Sequence, residues 1–259
     1  MVQKMPMALS KANIKYLQAL QQKKFRQKYN KFIVEGDKLA REIMEQRPGL
    51  VEAFYALPDW LEAWCDAHPE WRDRAQAVSE NELKRISGLS TPNQVLVLAR
   101  RFPLDRWSEA PDRGLFLFLE DLQDPGNLGA VLRIADWFGL SGVVCSPDCV
   151  ECFNPKVVQA SMGAVWRVPL YSATFQETSA RLAALPIFAT VPDGPNIFQV
   201  ELPPAALIVI GNESKGISSD LLRSIPSQLT IPSYASSGTE SLNAAVAAGI
   251  VVALFRRAL

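Results

Sequence analysis

The sequence has 259 residues, 48% of them hydrophobic and 21% charged, with 27 basic and 27 acidic side chains. Such a chain is not disordered, and it is long enough for one large or two ordinary domains whose core needs neither disulfides nor a structural metal. No apolar run approaches the ~18–20 residues that cross a bilayer, and the N-terminus lacks the apolar stretch of a signal peptide, so no membrane partner and a cytoplasmic location are expected.

The chain opens on a basic stretch. Residues 1–31 hold eight Lys or Arg (Lys4, Lys11, Lys15, Lys23, Lys24, Arg26, Lys28 and Lys31) and no acid, which leaves the remainder net acidic. Tyr16, Phe25 and Tyr29 are interleaved with these cations. That composition attracts a phosphate backbone; the competing reading is a solvated basic helix. Ile14, Leu17 and Leu20 recur at helical spacing after Ser10, a good N-cap. Phe32, Ile33 and Val34 form a short apolar strand ended by Gly36, and Asp37 is placed to cap a helix presenting Leu39, Ile43 and Met44. Val51 to Leu57 reads as a strand, Pro58 to Ala67 as a Trp-rich helix, and Ala75 to Val78 as a strand. Ser79 and Glu82 have capping-box spacing, and Gln94 to Ala99 reads as a last strand. Residues 1–100 thus read as a small α/β domain.

Residues 101–113, with two prolines and mixed charge, read as a linker. From residue 114 to 259 the alternation restarts with more apolar strands: Leu115 to Leu119, Gly142 to Cys145, Trp166 to Leu170, Ile187 to Val191, Leu207 to Ile210 and Leu229 to Ile231. Near-continuous apolar strands separated by helical patterns predict a parallel sheet covered on both faces, with ligands in the loops beyond the strands' carboxyl ends. Glu240 to Leu259 reads as a long Ala-rich helix. Cys65, Cys145, Cys149 and Cys152 are expected to be reduced thiols. Cys149 and Cys152 have zinc-like spacing, but the only histidine, His68, is distant, so packing is favoured over metal.

Three loop-to-helix segments carry candidate chemistry. In the first, Pro125 and Gly126 turn the chain and Asn127 is suited to cap the following helix. Arg133, six residues on, is then close to a phosphate or ribose held at the helix entrance. In the second, Leu207–Ile210 runs into Gly211, Glu213 and Gly216, where glycines allow close backbone approach and Glu213 can hold a cation such as Arg133. In the third, Ile231 and Pro232 end a strand, and Ser241, Leu242 and Asn243 open an apolar helix. The missing G-x-G-x-x-G argues against a dinucleotide-dependent oxidoreductase.

Together and in this order, Asn127-x-Gly129-x-x-x-Arg133, Gly211-x-Glu213-x-x-Gly216, and Ile231-Pro232 with Ser241-Leu242-Asn243 resemble the signature motifs of the SpoU/TrmH family of RNA 2′-O-ribose methyltransferases. Lys15 to Glu42 resembles the opening of the RNA-binding domain that many members carry. The loop from Pro232 to Ser241 departs from the family pattern in being Ser/Tyr-rich and slightly longer. The resemblance implies an α/β catalytic domain with a deep trefoil knot, and S-adenosylmethionine held by Thr190, Gly211, Gly216, Ile231 and Leu242. It implies a site built from Asn127, Arg133, Glu213, Ser241 and Asn243, with Glu213 orienting Arg133. It also implies a homodimer, in which the small residues Ala244, Ala245, Ala247, Ala248 and Gly249 pack at the interface, and no metal. The expected substrate is ribosomal or transfer RNA, contacted by Lys15, Lys23, Lys24, Arg26 and Lys28. The rival reading is a catalytically inactive RNA-binding protein of the same fold that assists ribosome assembly.

Overall fold

A computed structural model describes residues 8–104, 111–234 and 241–257. Lys4 of the basic stretch, residues 105–110 of the linker and the body of the unusual loop (235–240) lie outside the described residues. The chain forms two compact units, residues 1–103 with 153–159, and residues 104–152 with 160–259.

In the first unit the elements follow as α1 (Lys11–Ala19), α2 (Lys23–Tyr29), β1 (Lys31–Glu35), α3 (Asp37–Gln46), β2 (Val51–Ala56), α4 (Pro58–Ala67), β3 (Ala75–Ala77), α5 (Glu80–Ile86) and β4 (Val95–Arg100). Ser10 caps α1 by accepting from the Asn13 N–H, and Ser79 and Glu82 close the capping box of α5, as their spacing predicts. Asp37 is not a cap. Gly36 holds that position, and the Asp37 carboxylate accepts instead from Arg41 and Trp60 Nε1. The sheet order is β1-β4-β2-β3, with β4 antiparallel to both neighbours and β3 parallel to β2. Ile14, Leu17 and Leu20 of the first helical segment bury with Ile33, Leu96 and Leu98, so the basic segment is anchored by its apolar face.

The second unit contains β5 (Leu115–Leu119), α6 (Pro125–Trp137), β6 (Gly142–Cys145), α7 (Pro155–Ser161), β7 (Leu170–Ser172), α8 (Phe175–Arg181), β8 (Ile187–Thr190), β9 (Ala206–Ile210), α9 (Ser219–Ser224), β10 (Ser227–Leu229) and α10 (Ala244–Arg257). Residues 155–159 of α7 group with the first unit. All six strands are parallel, in the order β10-β8-β9-β5-β6-β7. β5 and β9 are completely buried, which explains their unbroken apolar sequences. Two predicted strands are displaced. Residues 164–166 form a 3₁₀ turn, and the strand begins only at Leu170, after Pro169, whose missing N–H cannot join a ladder. The last strand ends at Leu229, because Thr230 leaves the ladder to bridge Asn196.

The order of the strands positions the site. β5, β6 and β7 run outward on one side, and the chain then returns to place β9 on the other side of β5, with Leu119 opposite Ile210. The loops after β5 and β9, 90 residues apart in the chain, therefore leave the same sheet edge side by side at a topological switch point.

Candidate active site

Helix α6 starts one turn earlier than its Asn suggests. Asp124 is the N-cap, its side chain accepting from the Asn127 N–H at 2.8 Å, and Pro125 takes the first helical position. Asn127 is thereby released from capping, and its side chain points to the other two loops. Its Nδ2 donates to Glu213 Oε1 at 3.0 Å, and its Oδ1 accepts from Asn243 Nδ2 at 2.8 Å. Asn243 Oδ1 in turn accepts from the N–H groups of Ala245 and Val246, capping α10. An ionised carboxylate only accepts, so Glu213 dictates which end of the Asn127 amide faces it, and Asn127 dictates the orientation of Asn243. One polar chain, Glu213–Asn127–Asn243, joins all three motif segments.

Glu213 also accepts from the backbone N–H groups of Asp124 (3.2 Å) and Gln123 (3.4 Å). Partial burial pushes its carboxyl upward, but the hydrogen bonds from Asn127 and the backbone outweigh this and hold it below the usual carboxylate range. The chain's own Glu213 carboxylate thus lies at the α6 N-terminus, where the helix dipole favours an anion.

Arg133 does not meet Glu213. Six residues separate it from Asn127, which on a helix is about 9 Å along the axis and about 120° around it. Among the described residues Arg133 makes no ion pair with Glu213, and its side chain is exposed. It borders a depression of about 340 Å³ formed with Ala130, Ile134, Trp137 and Phe138, one face of α6. The expectation that Glu213 orients Arg133 is corrected on this point. Glu213 orients Asn127.

The glycines of the motifs mark close packing. A Cβ on Gly211 would lie 2.3 Å from the carbonyl carbon of Gly216, so only glycine lets the chain leave β9 and fold back on itself. A Cβ on Gly129 would lie 2.5 Å from that of Ala160. The loop from Gly211 is closed by reciprocal backbone bonds between Asn212 and Gly216. It is tied to the first loop by Asn212 Nδ2, which donates to the Asp121 carbonyl at 2.7 Å. Asn212, Asp124 and Glu120, which accepts from Ser218, were missed by the motif reading. Only Asp124 carried a signal, as the residue before a proline at a helix start.

The residues assigned to the cofactor lie at the exits of neighbouring strands. Thr190 ends β8, with its hydroxyl donating to the Val209 carbonyl at 3.0 Å. Gly211 follows β9, and half-buried Ile231 follows β10. Leu242 stands just before α10 with its side chain 48% exposed. Apolar side chains beside a glycine-lined edge fit the adenosine of S-adenosylmethionine, which needs apolar walls and backbone polar groups. Ser241 is exposed.

The small residues of α10 are used within the chain. Ala244, Ala245 and Ala248 are buried, and a Cβ on Gly249 would sit 3.4 Å from Ile134 of α6. Behind the first loop, Cys149 Sγ donates to the Leu119 carbonyl at 3.2 Å and accepts from the Leu122 N–H at 3.3 Å. Hydrogen bonding with Cys145 leads the causes that bring the Cys149 thiol to about 7 and push the Cys145 thiol well up. Among the described residues no group of three or more His, Cys, Asp or Glu is arranged to hold a metal.

On the first unit, Lys15, Lys23, Lys24 and Lys28 are exposed, with Lys24 and Lys28 lying over the rings of Phe25 and Tyr29. Arg26 is only 2% exposed, and its Nη1 donates to the carbonyls of Leu20 and Gln21. It ties the α1–α2 turn and is not available to RNA.

A parallel sheet with polar loops gathered at one edge is the frame of an α/β domain that binds its ligand at the strands' carboxyl ends. The SpoU rRNA Methylase family matches residues 114–253, and the MRM3-like substrate binding domain matches residues 11–97. The chain belongs to the SpoU rRNA methylase family. It is 29% identical to the 23S rRNA (guanosine(2553)-2′-O)-methyltransferase RlmP of Bacillus subtilis, over 92% of this chain and 94% of the relative. A putative RNA methyltransferase of the TrmH family from Porphyromonas gingivalis is 34% identical and superposes with a TM-score of 0.80, covering 96% of this chain and 98% of its own. An AdoMet-bound rRNA methyltransferase from Sinorhizobium meliloti is 25% identical with a TM-score of 0.83, covering 98% of each chain. Nothing in these likenesses favours an inactive RNA-binding protein or an oxidoreductase.

Proposed function

We propose that this chain transfers a methyl group from S-adenosylmethionine to a ribose 2′-hydroxyl of ribosomal RNA. The observation that carries the reading is the polar chain Glu213–Asn127–Asn243, which brings the three motif segments together beside the exits of β8, β9 and β10. Residues 114–259 act as the methyltransferase domain, including the knot that the family resemblance implies, and residues 1–100 as the RNA-binding domain in the cytoplasm.

S-adenosylmethionine supplies an electrophilic methyl on a sulfonium. The ribose oxygen would take that methyl as its hydroxyl proton leaves, so the chain's own residues have to orient the hydroxyl and stabilise the charge that develops on it. Among these side chains the guanidinium of Arg133 only donates, Asn127 and Asn243 are amides, and the Glu213 carboxylate is a weak proton acceptor because its hydrogen bonds hold it below the usual carboxylate range. Arg133 therefore acts by clamping the adjacent phosphate and stabilising the developing oxyanion, while the proton passes to solvent. Asn127, Ser241 and Asn243 shape the ribose pocket.

The face of α6 around Arg133 supports a homodimer. Trp137 is 85% exposed there, and Val246 of α10 is 51% exposed, an apolar surface that a second copy would cover. The test is Arg133→Lys, which keeps the charge and loses the bidentate fork. Methyl transfer is expected to fall about 100-fold or more with unchanged S-adenosylmethionine affinity. A preserved rate and pH profile would remove the clamp.

A further inference from the structure

Where β1 begins and β4 ends, the first unit carries a basic cavity of about 440 Å³, lined by Lys31, Gly49, Val51, Glu52, Arg74 and Arg100. Lys31 and Arg100 face each other across the antiparallel ladder, and Arg74 comes from the 3₁₀ turn (Pro69–Arg74) before β3. Three cations thus meet one carboxylate. Glu52 pairs with Lys31, and among the described residues no carboxylate pairs with Arg74 or Arg100. Burial, and then the neighbouring Arg100, hold the Lys31 ammonium below the usual lysine range.

The two arginines are held by neutral partners. Arg100 Nη2 donates to the Gly49 carbonyl at 2.6 Å. Arg74 Nη1 donates to the carbonyls of Pro48 (3.2 Å) and Val51 (3.0 Å), and the guanidinium lies over the Trp71 ring at 5.2 Å. These contacts fix both forks in place and leave their charge uncancelled. A guanidinium has five N–H donors, so each retains several for a ligand. A fixed fork of donors beside a second cation matches the oxygens of a phosphate.

We propose that this cavity binds a phosphodiester of the RNA substrate. It deepens the RNA-methylating reading and rests on it. An RNA backbone is favoured over a free anion because the cavity exceeds the size of one phosphate group. The exposed Arg74 and Arg100 also leave its rim open, and Lys31 directly continues the segment that carries exposed Lys23, Lys24 and Lys28.

Gly49 provides the cleanest test. A Cβ there meets nothing within 4 Å, so a side chain enters open space at the cavity wall without disturbing the fold. Binding of purified large-subunit ribosomal RNA to the full chain is measured across a salt series for wild type, Gly49→Ala, Gly49→Glu, Arg74→Gln and Arg100→Gln. Each lost phosphate contact lowers the slope of log affinity against log salt by about 0.7–0.9. Gly49→Glu is expected to lower it by at least one contact with an unchanged melting temperature, and Gly49→Ala to leave it unchanged. A wild-type slope in Gly49→Glu and Arg100→Gln overturns the proposal while leaving the RNA reading intact. Wild-type protein with no salt-dependent RNA binding overturns the RNA reading and the proposal together. Calorimetry with inorganic phosphate separates the remaining source: phosphate binding abolished by Gly49→Glu, with the RNA slope unaltered, assigns the cavity to a free anion and overturns the proposal.

Discussion

Replacing Asn127 by alanine cuts the polar chain at its centre. The variant loses the bond to the Glu213 carboxylate at 3.0 Å and the bond from Asn243 at 2.8 Å. Hydrogen bonds to charged groups contribute about 1.5–3 kcal/mol and neutral ones about 0.5–1.5. Asn127 and Glu213 are half-buried and Asn243 is exposed, so the low end of each range applies, giving about 2 kcal/mol in total. For a unit of this size that corresponds to a fall of about 4–8 °C in Tm. If the same energy is expressed in the transition state, kcat/KM for methyl transfer to RNA falls about 30-fold. A double-mutant cycle with Glu213→Ala, read by label transfer from S-adenosylmethionine, isolates the pair. The double variant should be little worse than the poorer single one, and strictly additive losses would refute the account. Asn127→Asp is more severe, since it sets a second carboxylate against one that only accepts. Glu213 titrates below the usual carboxylate range because burial, which works upward, is outweighed by its hydrogen bonds. The stability it contributes is therefore full above the ordinary carboxylate pKa and lost only as pH falls through the depressed value. In Asn127→Asp the two facing carboxylates disfavour each other's charged form, so the variant should be impaired at pH 7 and recover in part where acidification places a proton between them. Wild-type activity in that variant at pH 7 would contradict the coupling.

Other substitutions separate structural from functional cations and glycines. Arg26→Leu should lower Tm while leaving the salt slope of RNA binding unchanged, because the side chain is buried against the carbonyls of Leu20 and Gln21. Joint replacement of Lys23, Lys24 and Lys28 by Gln should lower that slope by about 2 without lowering Tm. Gly211→Ala should destabilise by about 1–3 kcal/mol and weaken S-adenosylmethionine binding, since the new methyl meets the backbone of Gly216 and Ile217. A Gly211→Ala protein with wild-type Tm and affinity would show that the loop tolerates opening.

Local chemistry was legible in the sequence wherever it is written within a few residues. Ser10, the Ser79–Glu82 box and the apolar runs of β5 and β9 fell where spacing put them. The cap of α6 was legible in principle, because Pro125 at the first helical position marks Asp124 rather than Asn127. The T-x-x-E box that starts α8, Thr174 with Glu177, carried the same kind of signal. Longer-range features left none. That β9 lies beside β5 is a property of strand order, and it decides that Glu213 meets Asn127. The burial of Arg26 depends on how α2 turns back on α1, so composition alone counted it with the solvent-facing lysines. Lys31, Arg74 and Arg100 are dispersed through the sequence, and only the sheet and the turn before β3 bring them to one cavity.

The central claim is that this chain methylates ribose 2′-hydroxyls of ribosomal RNA through the site assembled at the β5 and β9 exits. Its most direct test is a map of ribose methylation across total RNA from cells with and without the protein. The account predicts that one or a few 2′-O-methyl groups, all in ribosomal RNA, disappear without it and return with wild type but not with Arg133→Ala. Identical maps, or losses confined to base methylation, would contradict it.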